Sequence, residues 1–201
     1  MTIIAFISQK GGVGKSTLSQ ALAVEAKKQK INVLLADCDS QQATSHEWSK
    51  IKGKIPCQVF NSVKEVWPLV KQYDLIIIDG PARTSAGTLE IAKKVDLIIQ
   101  PTGASRADLV PAVKEFNALK KAGIPTKKLL FILTRLSTSA EAKAIQEYLK
   151  KTDYYCSPFY VMEKASYKQT QNEGKSITQT KYLGLSKQAK ELITSLLDYL
   201  N

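Results

Sequence analysis

Lys10-Gly11-Gly12-Val13-Gly14-Lys15-Ser16-Thr17 follows directly on the apolar run Ile3-Ile4-Ala5-Phe6-Ile7. A buried strand, then a glycine-rich loop, then a helix is the order in which a backbone wraps the phosphates of a nucleoside triphosphate. The glycines let successive N–H groups turn inward around phosphate oxygens. In such a loop Lys15 reaches the β- and γ-phosphates, and the Ser16 hydroxyl completes the shell of a magnesium ion. The helix beginning near Ser16 adds the positive end of its dipole. A Gly-Lys-Ser tripeptide alone is common; directly after a strand it is a specific signal.

The loop departs from the ordinary phosphate-loop pattern at one point. Where that pattern has its first glycine, this chain has Gln9, and a second lysine, Lys10, stands at the front of the loop. Two readings of Lys10 stand side by side: a solvated lysine on a basic protein, or a charge offered to a nucleotide held by a partner subunit.

Two further strands end in acids. Val33-Leu34-Leu35-Ala36-Asp37-Cys38-Asp39 carries two aspartates, and Leu75-Ile76-Ile77-Ile78-Asp79-Gly80-Pro81 carries one. Parallel strands deliver their C-terminal ends to the ligand crevice, so these acids belong near the phosphates. Asp79 has the context of the acid that holds magnesium through water, with helix capping as the plainer alternative. Of Asp37 and Asp39, one faces the metal or attacking water and the other braces the loop.

The rest of the chain alternates strand and helix patterns. Thr2–Ser8, Val33–Asp37, Tyr73–Asp79, Val95–Gln100 and Lys128–Thr134 read as short strands buried on both faces. Ser16–Lys28, Asp108–Lys121, Ala140–Lys150 and Ser186–Leu200 read as helices with an apolar stripe. The fold class is therefore α/β: a P-loop NTPase fold with a mostly parallel, twisted sheet flanked by helices, as one domain over residues 1–201. Positions 44–70 and 154–182 are less regular and read as loops, short helices or partner-binding surface.

With 29 Lys and Arg against 18 Asp and Glu, the formal net charge is +11. Such a balance favours a polyanionic partner, nucleic acid or an acidic membrane face. Cys38, Cys57 and Cys156 stand far apart without a CxxC pair, which fits a reducing compartment and argues against a zinc or iron–sulfur site. No apolar run reaches transmembrane length, so a cytoplasmic location is expected.

Taken together, these residues resemble the ParA/MinD family of deviant Walker A ATPases, in particular its short plasmid-partition (ParF-like) members. Lys10 to Thr17 match the signature KGGxGK[ST]T at every fixed position. Asp37 to Gln41 resemble the element DxDxQ, with Ser40 where proline is frequent; Asp79 matches the strand-end acid, and Thr134-Arg135 the pair that helps form the base pocket. The resemblance implies ATP and Mg2+ as cofactors. It implies an ATP-sandwiched homodimer in which Lys10 crosses to the partner's phosphates. The phosphates then lie on Gly11, Gly12, Val13, Gly14, Lys15, Ser16 and Thr17. Catalytic roles fall on Lys10, Lys15 and Asp39, and metal roles on Ser16, Asp39 and Asp79. It also implies non-specific DNA binding on the nucleoid and a small centromere-binding partner (ParB/ParG-like) that stimulates hydrolysis. Lys150, Lys151, Lys164, Lys168, Lys175, Lys181, Arg83 and Arg106 are candidate DNA contacts.

Four other readings compete, one of them a structural switch that binds nucleotide without hydrolysing it, against which the intact Lys15, Asp39 and Asp79 argue. A MinD-like membrane regulator needs a terminal amphipathic helix free for lipid, and here the last stripe ends in Asp198, Tyr199 and Asn201, so no stable membrane association is expected. A metal-cluster carrier needs paired cysteines. A small-molecule kinase needs a lid with arginines, and the chain has only Arg83, Arg106 and Arg135.

Overall fold

The computed structural model describes residues 1–81 and 85–198, with Ser85 and Ala86 as backbone only. Arg83, Tyr199, Leu200 and Asn201 lie outside the described residues.

Seven parallel strands form one sheet in the order β3-β2-β4-β1-β5-β6-β7. The strands are β1 (Thr2–Phe6), β2 (Val33–Asp37), β3 (Cys57–Val59), β4 (Leu75–Asp79), β5 (Leu97–Thr102), β6 (Leu129–Leu136) and β7 (Tyr155–Met162). The helices are α1 (Lys15–Lys28), α2 (Thr44–Lys52), α3 (Ser85–Lys94), α4 (Arg106–Lys121), α5 (Ser139–Leu149), α6 (Ala165–Asn172) and α7 (Leu183–Leu197). A 3-10 segment, Val63–Gln72, precedes β4.

Alternation along the central strands feeds two apolar layers. Ile3, Ala5, Ile76, Ile78, Ile98 and Phe131 face one layer, which α4 covers with Phe116 and Leu119 and α5 with Ile145 and Leu149. Ile4, Phe6, Ile77, Ile99 and Ile132 face the other, closed by Leu18 and Leu22 of α1, Trp48 of α2, and Leu192, Ile193 and Leu196 of α7. Phe116 and Phe131 meet at 4.3 Å between ring centroids, and Tyr154 sits edge-on to both. A sheet wrapped on both faces leaves its strand ends as the place for chemistry.

The central strand order sets up the site. Because β4 lies between β1 and β2, Asp79 pairs in register with Phe6 on one side and with Asp37 on the other. The glycine-rich loop leaving β1 thus emerges beside both acids.

The five expected strands are present, and two edge strands join them. β3 and β7 lie within the stretches whose pattern is irregular. Both are half-exposed along their length, so they carry no continuous apolar run to announce them. α2 also lies there. Its N-cap position holds Ala43 at φ 45°, with no side-chain cap of its own. Asp37 does the capping from the end of β2: its Oδ2 accepts from the backbone N–H of Ser45 at 2.8 Å and of His46 at 3.0 Å. A cap supplied by tertiary contact leaves no local start signal.

Candidate nucleotide site

The loop between β1 and α1 holds Gly12 at φ 74° and Gly14 at φ 98°. Both lie in the left-handed region that L side chains avoid. Gly14 is the N-cap of α1 and caps nothing with a side chain, so the first N–H groups of the helix remain free to meet an anion.

One cleft of about 250 Å³ brings together Gly11, Gly12, Gly14, Lys15, Ser16, Thr17, Asp37, Asp39 and Asp79. Val13 turns away and is buried, where its carbonyl accepts from Thr134 Oγ1 at 2.7 Å. Lys15 is 8 % exposed. Burial lowers its pKa, while the charges of Asp79, Asp39 and Glu115 raise it. A desolvated ammonium among acids is a strong partner for a phosphate, because few waters compete with it.

The three acids at the sheet end divide the work. Asp37 is spent on structure, accepting three backbone N–H groups, from Asp39, Ser45 and His46. Asp39 is half-buried and lines the cleft; its Oδ1 accepts only a long contact from the Gln42 N–H at 3.3 Å. Asp79 is 2 % exposed. Its Oδ2 accepts from Ser45 Oγ at 2.7 Å, and its buried Oδ1 has no hydrogen-bond partner. Burial pushes the Asp79 carboxyl up to about 6, against the pull of Ser45, Ser16 and Lys15.

A buried carboxylate oxygen without a partner costs free energy unless a ligand meets it. Among the described residues no three acidic, histidine or cysteine side chains converge as a protein-only metal cage. One hydroxyl and two carboxylates around a phosphate cleft instead suit Mg2+, which keeps waters and takes its other ligands from phosphates. Ser16, Asp39 and Asp79 fit such an ion.

Behind the cleft runs a chain of hydrogen bonds. Thr17 Oγ1 donates to Gln171 Oε1 at 3.3 Å, and Gln171 Nε2 donates to Gln20 Oε1 at 2.9 Å. Gln20 Nε2 then donates to Ser45 Oγ at 3.3 Å, the hydroxyl that holds Asp79. Gln20, Ser45 and Gln171 have no motif of their own, and sequence reasoning passed over them. It also passed over Glu115 on α4, 4 % exposed. Glu115 accepts from Gln100 Nε2 at 2.6 Å and from the Gln9 N–H at 3.3 Å, bracing the entry to the loop. The only sequence signal for Glu115 is a carboxylate next to the apolar stripe of α4.

Thr134 and Arg135 line a second cavity of about 340 Å³, shared with Gly12, Thr17, Met162, Tyr167 and Gln171. Arg135, at φ 56°, donates from Nη1 to the Gly12 carbonyl at 3.2 Å. This cavity adjoins the phosphate cleft through Gly12, Gly14 and Thr17 and has room for a nucleoside. Lys10 stands apart from both. It lies in a neighbouring recess with Ser105, Asp108, Arg135 and Glu141, its side chain 42 % exposed and ion-paired to Asp108.

The match to known families decides what this arrangement is. Residues 4–177 match the model of the CobQ/CobB/MinD/ParA nucleotide-binding domain. The chain belongs to this family. Its fold is close to that of the MinD cell division protein of Aquifex aeolicus, with a TM-score of 0.76 at 18% identity, covering 98% of each chain. It is similar also to a putative plasmid partition protein of Borrelia burgdorferi bound to AMPPNP, with a TM-score of 0.68 at 18% identity over 96% of this chain and 98% of that one. At these identities the likeness is one of fold. A 48-residue stretch is 56% identical to an uncharacterized protein of Borreliella burgdorferi, spanning 24% of this chain and 19% of that relative's length.

Proposed function

We propose that this family member is an Mg2+-dependent ATPase of DNA segregation, acting in plasmid partition in the cytoplasm on the nucleoid. ATP sits with its phosphates on Gly11 to Thr17 and its nucleoside beside Thr134 and Arg135. Magnesium, when bound, neutralises charge on the β- and γ-phosphates. Ser16 and Asp79 hold its shell; Asp39, at the open side of the cleft, positions the attacking water. Lys15 stabilises charge that develops during transfer, and the glycine-loop N–H groups do so without reorganising.

The observation that carries this reading is the separation of the two loop lysines. Lys15 lines the phosphate cleft, whereas Lys10 points out of it. An outward, half-exposed lysine is placed to reach the nucleotide of a second copy, once it leaves Asp108. Mg-ATP thereby drives a sandwich homodimer, which binds DNA through phosphate contacts without sequence preference. A small centromere-binding protein stimulates hydrolysis and resets the cycle. The structural likeness to a putative plasmid partition protein supports this choice within the family. The apolar face of α7, with Ala189, Leu192, Ile193, Leu196 and Leu197, is buried against the core and not free for lipid.

Light scattering with Mg-ATP, Mg-ADP and no nucleotide tests the reading. A dimer only with Mg-ATP supports it. A monomer in all three states, in a protein that binds ATP, overturns it.

A further inference from the structure

At its far end from the nucleotide, α1 borders a cleft of about 420 Å³. Fourteen residues of helix at ~1.5 Å rise place this end about 20 Å from the phosphate loop. Five lysines from three separate segments ring the cleft: Lys27 and Lys28 at the end of α1, Lys52 and Lys54 at and beyond the end of α2, and Lys175 after α6. Its inner wall is apolar, formed by the buried Val24 and Trp48. The Trp48 indole N–H donates to the Lys175 carbonyl at 3.3 Å, which fastens the third segment onto α2. Lys27 Nζ donates to the Lys54 carbonyl, which fastens the second onto α1.

The charge there is only partly compensated. Lys28 pairs with Glu25 and Lys175 with Glu173, each at 2.7 Å. Lys27, Lys52 and Lys54 have no carboxylate partner among the described residues. Lysines in a last helical turn complement the helix dipole, and this explains Lys27, Lys28 and Lys52. It does not explain Lys54 and Lys175, which come from connecting segments and converge on the same hollow. Bringing like charges together costs energy that a bound polyanion returns.

We propose that this lysine-ringed cleft is a docking site for the phosphate backbone of duplex DNA. The proposal rests on the DNA-binding part of the function above and gives that activity a place. A concave hollow with lysines at its rim receives a projecting ridge of phosphates. A bilayer surface is flat and is gripped by apolar side chains that protrude into it, whereas here Val24 and Trp48 are sunk below the rim. Contacts of lysine with phosphate alone carry no base readout, so the binding is independent of sequence. Of the candidates in the chain's second half, Lys175 lies in this cleft; outside it, Lys150 pairs with Glu147 at 2.6 Å and Lys168 with Glu163 at 3.1 Å.

The test is fluorescence anisotropy of a labelled random-sequence duplex with Mg-ATP across a salt series. It compares the wild type, the double variant Lys52→Gln/Lys54→Gln, and the control Lys121→Gln/Lys127→Gln. All four lysines are exposed, so both variants fold. The expected result is a loss of about tenfold or more in affinity at low salt for the cleft variant. Its log–log salt slope should shrink by about 2, near 0.9 per lost phosphate contact, while the control and nucleotide affinity stay unchanged. A cleft variant that keeps wild-type affinity and slope overturns the proposal and leaves DNA binding by the protein standing. A wild type that binds no duplex in any nucleotide state, or binds only anionic vesicles, overturns both.

Discussion

The two ends of α1 hold lysines for opposite reasons. At its N-terminus Lys15 is buried, stripped of water and surrounded by acids, within a loop whose glycines adopt conformations other residues resist. At its C-terminus Lys27 and Lys28 stand in solvent beside three more lysines. A buried cation in a preorganised cradle holds one small anion in one geometry and is screened little by salt. Exposed cations around a hollow attract a polyanion at many registers and are screened strongly. The same residue type at two ends of one helix is thus placed for a fixed ligand at one end and, in the site proposed above, for a mobile one at the other.

Lys15→Ala strikes the buried end and has the largest expected effect. Nucleotide affinity should fall at least about a hundredfold, on the order of 3 kcal/mol, with a weak dependence on salt. Calorimetric titration with ATP checks it, and a loss that salt reproduces in the wild type would place Lys15 with the surface lysines. Asp79→Asn tests the buried acid without removing its volume. Burial raises the Asp79 carboxyl from 3.8 to about 6, so the fold favours its neutral form. The protein without ligand should therefore gain stability as pH falls from 7 through 6 towards 4, by up to about 2 to 3 kcal/mol at ~1.36 kcal/mol per unit. Burial shifts Asp37 and Glu115 in the same direction. Asp79→Asn should flatten that rise and melt higher than the wild type at pH 7 while losing its response to Mg2+. Thermal melts between pH 5 and 7 decide the matter, and a wild type that gains nothing on acidification would show the Asp79 oxygen to be satisfied.

Lys10→Ala lies between the two regimes, because Lys10 is half-exposed. Nucleotide binding by one subunit should stay within about twofold, while the ATP-driven dimer disappears in light scattering. A persistent dimer would assign Lys10 to the solvated class. Asp39→Ala should slow phosphate release by about tenfold or more and leave nucleotide binding and assembly in place; unchanged turnover would remove Asp39 from the water-positioning role. The smallest expected effect is on stability, from Gly14→Ala. A methyl at φ 98° and 3.6 Å from Thr134 should cost about 1 to 2 kcal/mol, measured by denaturant unfolding.

The central sheet and the phosphate loop were legible because their causes are local. Strands β1, β2, β4, β5 and β6 are continuous apolar runs, since both of their faces are covered. The loop announces itself because wrapping phosphate demands glycine at fixed spacing, followed by lysine and a hydroxyl. β3 and β7 were not legible, since an edge strand is stabilised by one neighbour and tolerates polar residues on its open side. α2 hid its start because its cap is Asp37, supplied from another element. The sequence offered two acids at the end of β2 without separating them. Both line the cleft, and only the fold shows Asp37 occupied by three backbone N–H groups and Asp39 left with one long contact.

The sequence alone determined that a glycine-rich loop joins a strand to α1, and which residues line the cleft it forms. Those requirements are met by consecutive residues, so a short motif states them in full. Tertiary structure alone decided which acid is spent on capping, how Gln171, Gln20 and Ser45 connect Thr17 to Asp79, and where five lysines gather. Each of these depends on side chains far apart in the chain, and their distances are fixed only when helices pack on both faces of a sheet whose strand order differs from the chain order.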